Sequence, residues 1–396
     1  MRQYSERMSR LTGSAIRQIM KLMSDPEIIS LGGGNPDPES FPVEKIREIT
    51  DQLLREKPTQ MLQYGVTNGY LPLREAALEH LFRPKNIQAD LENVIPFTGS
   101  TQGIYMILDM FIDPGTPVLI ENPTFLGTLN VIKKLGAKII PVEMDGDGML
   151  MDDLEAKIKA HQPRLLYTIP TFQNPTGRTL PLERRKRIAE LAAEYDVIVI
   201  EDDPYGDVRI KGTPLPPIKS FDTAGNVILM NSFSKIIAPG LRVGAAVGAA
   251  DLIQQMEKVK QGLDTHTASL PQAICAEFLM RGLLPDHLRT ITAIYGERLD
   301  AMLQGLERYF PADADFTRPE GGLFVWVQLP GIKNTGKLLE RAISECKVAF
   351  VPGTPFFLEE TQGLDTLRLN FSSSTPQQID TALQRLGGLI QEEYNK

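Results

Sequence analysis

The chain has little cysteine: Cys275 and Cys346 are the only two in 396 residues. That excludes a disulfide framework and a cysteine-rich zinc site, and both thiols read as packing residues. There are four histidines. No run of about 18 apolar residues occurs, so no membrane-spanning helix is read. The opening MRQYSERMSRL lacks the apolar stretch of a secretion signal. Basic residues are not in excess. Lys plus Arg total 42 against 50 for Asp plus Glu, a formal charge of −8, which argues against sequence-independent binding of nucleic acid. Internal repeats and low-complexity tracts are absent too. The expectation is a soluble, cytoplasmic protein that binds neither membrane nor nucleic acid. At 42% hydrophobic the chain can bury a large core, divided between two domains or one large and one small.

What is present is alternation. Short β-rich runs at Val94–Pro96, Val118–Ile120, Lys138–Val142, Leu165–Ile169, Val197–Ile200, Val227–Met230 and Val243–Val247 read as buried strands. Amphipathic runs at Gln102–Phe111, Leu126–Leu135, Asp152–Ala160 and Leu182–Glu194 separate several of them. Such alternation predicts an α/β fold with a mainly parallel sheet sandwiched by helices. Earlier helices are predicted over Ser14–Met23 and Val43–Glu56. After a long helical stretch, Asp251 to about Phe310, the style changes. Strands at Leu323–Leu329 and Thr366–Asn370, a helix near Lys337–Cys346 and a last helix from Pro376 predict a smaller α+β domain. The expected division is 43–290 for the large domain. Segments 1–42 and 291–396 together form the small one.

Ligands of open α/β sheets bind beyond the carboxyl ends of strands, and polar groups gather there. Gly99-Ser100-Thr101-Gln102-Gly103 opens a helix; its free N–H groups and hydroxyls could hold a phosphate, or a hydroxyl could simply cap the helix. Asn174-Pro175-Thr176-Gly177 follows one strand and Glu201-Asp202-Asp203-Pro204-Tyr205 another. The three acids could form a metal cluster, but adjacent carboxylates on a strand end point apart and no histidine lies nearby, so no metal is expected. Ser232-Phe233-Ser234-Lys235, with Arg242, brings hydroxyls, an amine and a guanidinium together. A crowded, buried lysine can lose its proton and attack a carbonyl. Two other motifs fall short. Gly331 to Lys337 has phosphate-loop spacing but ends on Leu338, where a magnesium-binding hydroxyl is needed. Asp145-Gly146-Asp147-Gly148 starts like a calcium loop, but Met149 and Leu150 break it. Both read as turns.

In chain order, Asn174-Pro175-Thr176-Gly177, Asp202-x-x-Tyr205 and Ser232-x-Ser234-Lys235 with Arg242 closely resemble the fold-type I, class I/II aminotransferases, which use pyridoxal 5′-phosphate (PLP). Ser14 to Arg17, Leu31-Gly32-Gly33-Gly34-Asn35-Pro36, Leu62-Gln63-Tyr64 and Gly321 to Trp326 are similar to the 2-aminoadipate/kynurenine aminotransferase group, which includes broad aromatic and multisubstrate enzymes. The resemblance implies a large PLP-binding domain like that of aspartate aminotransferase and transfer of an amino group between an L-α-amino acid and 2-oxoglutarate by a ping-pong route. It also implies roles. Lys235 bonds the cofactor aldehyde as a Schiff base and moves the substrate proton. Asp202 pairs with the ring nitrogen, while Asn174 and Tyr205 bond the ring O3′. Phe125 stacks on the ring where the family usually has tyrosine. Ser100, Thr101, Ser232, Ser234 and Arg242 hold the phosphate. Tyr64 reaches the phosphate of the neighbouring subunit, which implies a homodimer with composite sites. Arg368 clamps the substrate carboxylate, Asn174 lies beside the substrate, and Arg17 meets acidic side chains. Gly33 and Gly34 let backbone approach the substrate or form a turn.

Three other functions stay in view. A PLP lyase, decarboxylase or synthase would use the same electron sink. A regulatory module of this fold would carry a winged helix, needing about 100 further residues ahead of it, and the chain is expected to lack one. A nucleotide-binding α/β protein is disfavoured, since no complete Gly-x-Gly-x-x-Gly follows the first strand.

Overall fold

The computed structural model describes residues 4–10 and 27–395. The expected Ser14–Met23 helix and Arg17 lie outside the described residues.

Seven strands form the central sheet: β1 Val94–Phe97, β2 Pro117–Glu121, β3 Lys138–Val142, β4 Leu165–Thr168, β5 Ile198–Asp203, β6 Val227–Ser232 and β7 Gly244–Val247. Their order is β1-β7-β6-β5-β4-β2-β3. β7 runs antiparallel to both neighbours, and every other pairing is parallel. Side chains alternate across a strand, and here they feed two cores. Leu119, Leu166, Val199 and Val227 join Leu154 and Ile158 of helix Met151–His161 and Ile188 of helix Leu182–Tyr195. Val118, Tyr167, Ile200 and Ile228 join Ile104 and Ile107 of helix Ser100–Phe111 and Ile132 of helix Leu126–Leu135. Helices therefore cover both faces, which is why these strands read as apolar on both sides.

A second sheet has β8 Asp315–Phe316, β9 Phe324–Gln328, β10 Val351–Pro352 and β11 Thr366–Asn370, in the order β8-β9-β11-β10, all antiparallel. Ile29–Ser30 pairs in parallel with Val348–Ala349. The Leu31 N–H then donates to the Ala349 carbonyl, and the Asn370 N–H to the Leu31 carbonyl, both at 2.7 Å. The Gly32–Asn35 loop is thereby fastened to the end of β11.

Several boundaries differ from expectation. The sequence reading stops β5 at Ile200, because acids look like a loop. β5 runs on through Glu201, Asp202 and Asp203, all buried. It can do so because each acid finds a donor. Glu201 accepts from the Ile218 and Lys219 N–H groups at 2.8 Å. Tyr167 serves Asp202 at 2.8 Å, and Lys85 serves Asp203 at 3.2 Å. The stretch from Asp251 is three helices, Ala250–Leu263, Ser269–Met280 and Leu284–Tyr309. The helix near Lys337 is Thr335–Arg341, continued by a wider π-type turn over Ala342–Cys346. The two near-motifs are turns. Asp145 and Gly148 pair across a hairpin, and Asn334 caps Thr335–Arg341 by accepting from the Lys337 N–H.

Candidate active site

The carboxyl ends of β1, β4, β5 and β6 open on one cavity of about 290 Å³. Its lining includes Ser100, Thr101, Phe125, Asn174, Asp202, Tyr205, Ser232, Ser234, Lys235, Arg242, Arg368 and Gly34. Twelve of the residues expected from sequence are thus brought to one place. Gly33 stands just behind, its carbonyl 3.4 Å from Arg368 Nη2. Tyr64 is not brought there. It is 83% exposed, with its ring edge-on to His266.

One end of the cavity is the start of helix Ser100–Phe111. Neither Ser100 nor Thr101 caps it. The cap is Gly99, at φ 76°, and no side chain accepts from the first turn. Ser100 Oγ is buried and, among the described residues, has no hydrogen-bond partner. A Cβ on Gly99 would run into the Arg242 guanidinium, so glycine is what lets a cation rest against the open helix end. Free N–H groups, hydroxyls and a guanidinium at a helix N-terminus suit a phosphate.

Asp202 lines the same cavity. Tyr167 Oη donates to its Oδ2 at 2.8 Å, while Oδ1 is buried and has no partner among the described residues. Burial pushes the carboxyl up to about 7, against the opposing effect of the Tyr167 hydrogen bond. A buried acid that lines a cavity and keeps one oxygen unpartnered suits a cationic N–H. The neighbouring carboxylates turn elsewhere, as alternation along β5 requires.

Lys235 Nζ donates to the Gly34 carbonyl at 2.7 Å. Burial, then repulsion from Arg368 and Arg242, lowers its ammonium to about 8. A fraction of the amine is therefore neutral at physiological pH and able to attack an aldehyde.

Arg368, on β11, is 2% exposed. Its Nη1 donates to Asn174 Oδ1 and its Nη2 to the Gly32 carbonyl, each at 2.9 Å. The guanidinium lies over Phe324, 4.1 Å from the ring centroid. Among the described residues no carboxylate pairs with it, its Nε is unpartnered, and burial lowers it to about 10. A buried, unpaired guanidinium invites a carboxylate. Asn174 also donates from Nδ2 to Tyr205 Oη at 3.4 Å, and burial raises that phenol above its usual range. Phe125 precedes helix Leu126–Leu135, and its ring lies against Gly127, where a Cβ would collide.

Sequence reasoning missed Asn35, Ile104, Ile169, Pro204 and Phe324 on the wall, and the support beneath it. Glu121, at the end of β2, accepts from Thr168 Oγ1 at 2.6 Å and Gln173 Nε2 at 3.1 Å. It ties down the loop that carries Asn174. A lone Glu at a strand end gives no sequence signal of this. For Phe324, the motif from Gly321 to Trp326 marked the segment but not the residue.

A family model for aminotransferase class I and II matches residues 26–386. The chain belongs to the class I and II aminotransferases. It is a PLP-dependent enzyme that transfers amino groups in two half-reactions. Among relatives of this aminotransferase, aromatic-amino-acid aminotransferase 1 of Thermococcus litoralis is 39% identical over 99% of this chain and 95% of its own length. The Pyrococcus horikoshii kynurenine aminotransferase, solved with pyridoxamine phosphate, superposes with a TM-score of 0.94 at 38% identity, covering 98% of this chain and 97% of that one. The α-aminoadipate aminotransferase of Thermus thermophilus, complexed with N-(5′-phosphopyridoxyl)-L-leucine, gives 0.91 at 36% identity, covering 98% and 97%. The bare Asp202 and Ser100 oxygens fit the ring and phosphate ends of the cofactor these enzymes use.

Proposed function

We propose that this aminotransferase exchanges amino groups between glutamate/2-oxoglutarate and an α-amino acid with an acidic or a large apolar side chain, 2-aminoadipate and aromatic acids first. The observation that carries the reading is Arg368, a buried cation with no carboxylate partner among the described residues, lining the same cavity as Lys235, with Phe125 and Phe324 on the wall. The relatives named for aromatic, kynurenine and aminoadipate substrates support it.

When bound, PLP supplies an electron sink for the pair left on the substrate Cα. Lys235 would hold its aldehyde carbon. Asp202 would pair with its ring nitrogen, Asn174 and Tyr205 would donate to its ring oxygen, and Phe125 would lie on its face. Ser100, Thr101, Ser232, Ser234 and Arg242 would hold its phosphate. Arg368, oriented by Asn174, fixes the substrate α-carboxylate and so presents the Cα–H to Lys235. The Lys235 amine, once released from the aldehyde carbon, would take that proton from Cα and deliver it to that carbon, two atoms along. Asp202, charged beside the ring nitrogen, would keep that nitrogen protonated, and the protonated ring draws the developing negative charge. Arg17 is assigned to acidic side chains, and Gly33 and Gly34 to the backbone facing the substrate.

The functional unit we propose is a homodimer in which Tyr64 completes the partner's phosphate site. Its exposure beside exposed Leu62, Val66 and Leu71 supports this. The division into 43–290, with 1–42 joined to 291–396, remains the proposed domain plan. Two unpaired thiols suit the cytoplasm, where we place the enzyme.

Single-turnover mixing of the loaded enzyme with L-glutamate, L-2-aminoadipate, L-phenylalanine and L-alanine tests the specificity. The first three should bleach the yellow cofactor absorbance much faster than alanine. A strong preference for alanine would overturn the assignment.

A further inference from the structure

Tyr167 has no part in the roles assigned above, yet its phenol donates a hydrogen bond to Asp202. It lies on β4, fully buried in the apolar core, with the buried Thr128 hydroxyl and the Glu121 carboxyl as polar neighbours beside Asp202. β4 and β5 are parallel, with Tyr167 opposite Ile200. Asp202 is two residues beyond Ile200 and so on the same face. The phenol reaches along that face to Oδ2 and, among the described residues, leaves Oδ1 of this cavity-lining acid without a partner.

A carboxylate can turn about its Cβ–Cγ bond, and a buried one is readily neutralised. The ionisable neighbours of Asp202 give no help. Among the described residues, Glu121 on β2, Asp203 on β5 and Tyr205 beyond β5 are its electrostatic partners, and none is a cation. Among the described residues, Tyr167 supplies the side-chain donor that favours the charged form. It also fixes which oxygen is offered. A tyrosine that merely filled the core would need only its ring there.

We propose that Tyr167 is a positioning residue that holds Asp202 ionised and in the rotamer that presents Oδ1 to the cofactor ring nitrogen. The proposal rests on the assignment of Asp202 to that nitrogen. Phenylalanine at 167 would keep the ring and its packing but release the carboxylate to turn and take up a proton.

The test is a double-mutant cycle read by the dissociation constant for PLP, from absorbance titration of the apo-protein near pH 7. Tyr167→Phe should weaken PLP binding about tenfold in the unaltered protein, the worth of one hydrogen bond to a charged group. In the Asp202→Asn background it should weaken binding less than about twofold, since no charge remains to hold. The loss should shrink as pH is raised from about 7 to about 9, since higher pH favours the carboxylate without the phenol. Tyr167→His, which keeps a ring N–H, should recover part of the affinity, and it replaces the Phe variant if that one does not fold. Equal losses in both backgrounds, or none in either, would overturn the role of Tyr167 while leaving Asp202 in place. If Asp202→Asn alone binds PLP as tightly as the unaltered protein, the ring-nitrogen assignment itself falls, and the role of Tyr167 with it.

Discussion

Lys235 and Asp202 are both shifted by burial toward their neutral forms, and each gives a pH-dependent consequence. Lys235 attacks the aldehyde only as the free amine. Its ammonium is lowered to about 8, so the neutral fraction grows as pH rises toward that value. The rate of PLP loading should climb roughly tenfold per pH unit below about 7 and level off above about 8. Stopped-flow absorbance at several pH values measures it, and a rate still climbing tenfold per unit at pH 10 would show an ordinary exposed lysine. For Asp202 the folded carboxyl titrates near 7, against an ordinary value of 3.8. The folded apo-protein therefore binds the extra proton between those values and loses stability as pH rises through them. The full cost is on the order of 4 kcal/mol above pH 7. Asp202→Asn keeps an acceptor for Tyr167 and carries no charge. Apo-protein with that substitution should melt higher than the unaltered chain, with a gap that widens from pH 4 to pH 7. Loaded with cofactor the order should reverse, since the carboxylate then has its cation. A gap independent of pH would place the stability effect elsewhere.

The helix Ser100–Phe111 depends on Gly99 in a way its sequence pattern only half shows. The Ser/Thr pair after a glycine looks like a cap, yet the hydroxyls stay free because Gly99 takes the cap position at positive φ. Gly99→Ala would force a Cβ into the Arg242 guanidinium and strain the backbone by about 1–3 kcal/mol. We expect PLP affinity to fall tenfold or more while the circular dichroism of the fold is kept; unchanged affinity would mean that this helix end does not hold the phosphate. The same element shows what sequence makes legible. The apolar periodicity of Gln102–Phe111 and Leu126–Leu135, and the strand β3, stand where the pattern puts them. β5 and β6 run longer than their apolar runs, since Glu201, Asp203, Asn231 and Ser232 are buried, the first three with partners far away in sequence. Pairing at such distance leaves no local mark. Two-residue strands such as Ile29–Ser30 are too short to carry a period.

Across the whole molecule, the cavity is built from distant stretches of chain. Gly34 and Arg368 come from opposite ends and meet because Ile29–Ser30 pairs with Val348–Ala349 and Leu31 bonds Asn370. The site chemistry was legible as ordered motifs. Their convergence was legible only through the rule that loops gather at strand ends. Glu121 and Tyr167, which act through other residues, had no motif to mark them. Tyr64 belongs to this scale too. If sites are composite, mixing a Lys235→Ala chain with a Tyr64→Ala chain should regain up to about a quarter of full activity, because each hybrid dimer carries one intact site. Mixtures no more active than the Tyr64→Ala chain alone would mean that each site is built from a single chain.

Amino transfer through Lys235 can be read in one absorbance spectrum. The protein is loaded with PLP, cleared of free cofactor and given L-glutamate without any keto acid. The yellow absorbance should bleach as the amino group passes to the cofactor, and added 2-oxoglutarate should restore it. The Lys235→Ala chain under the same conditions should show neither change at a comparable rate. A protein that takes up no PLP, or a Lys235→Ala chain that bleaches as fast as the unaltered one, would contradict it.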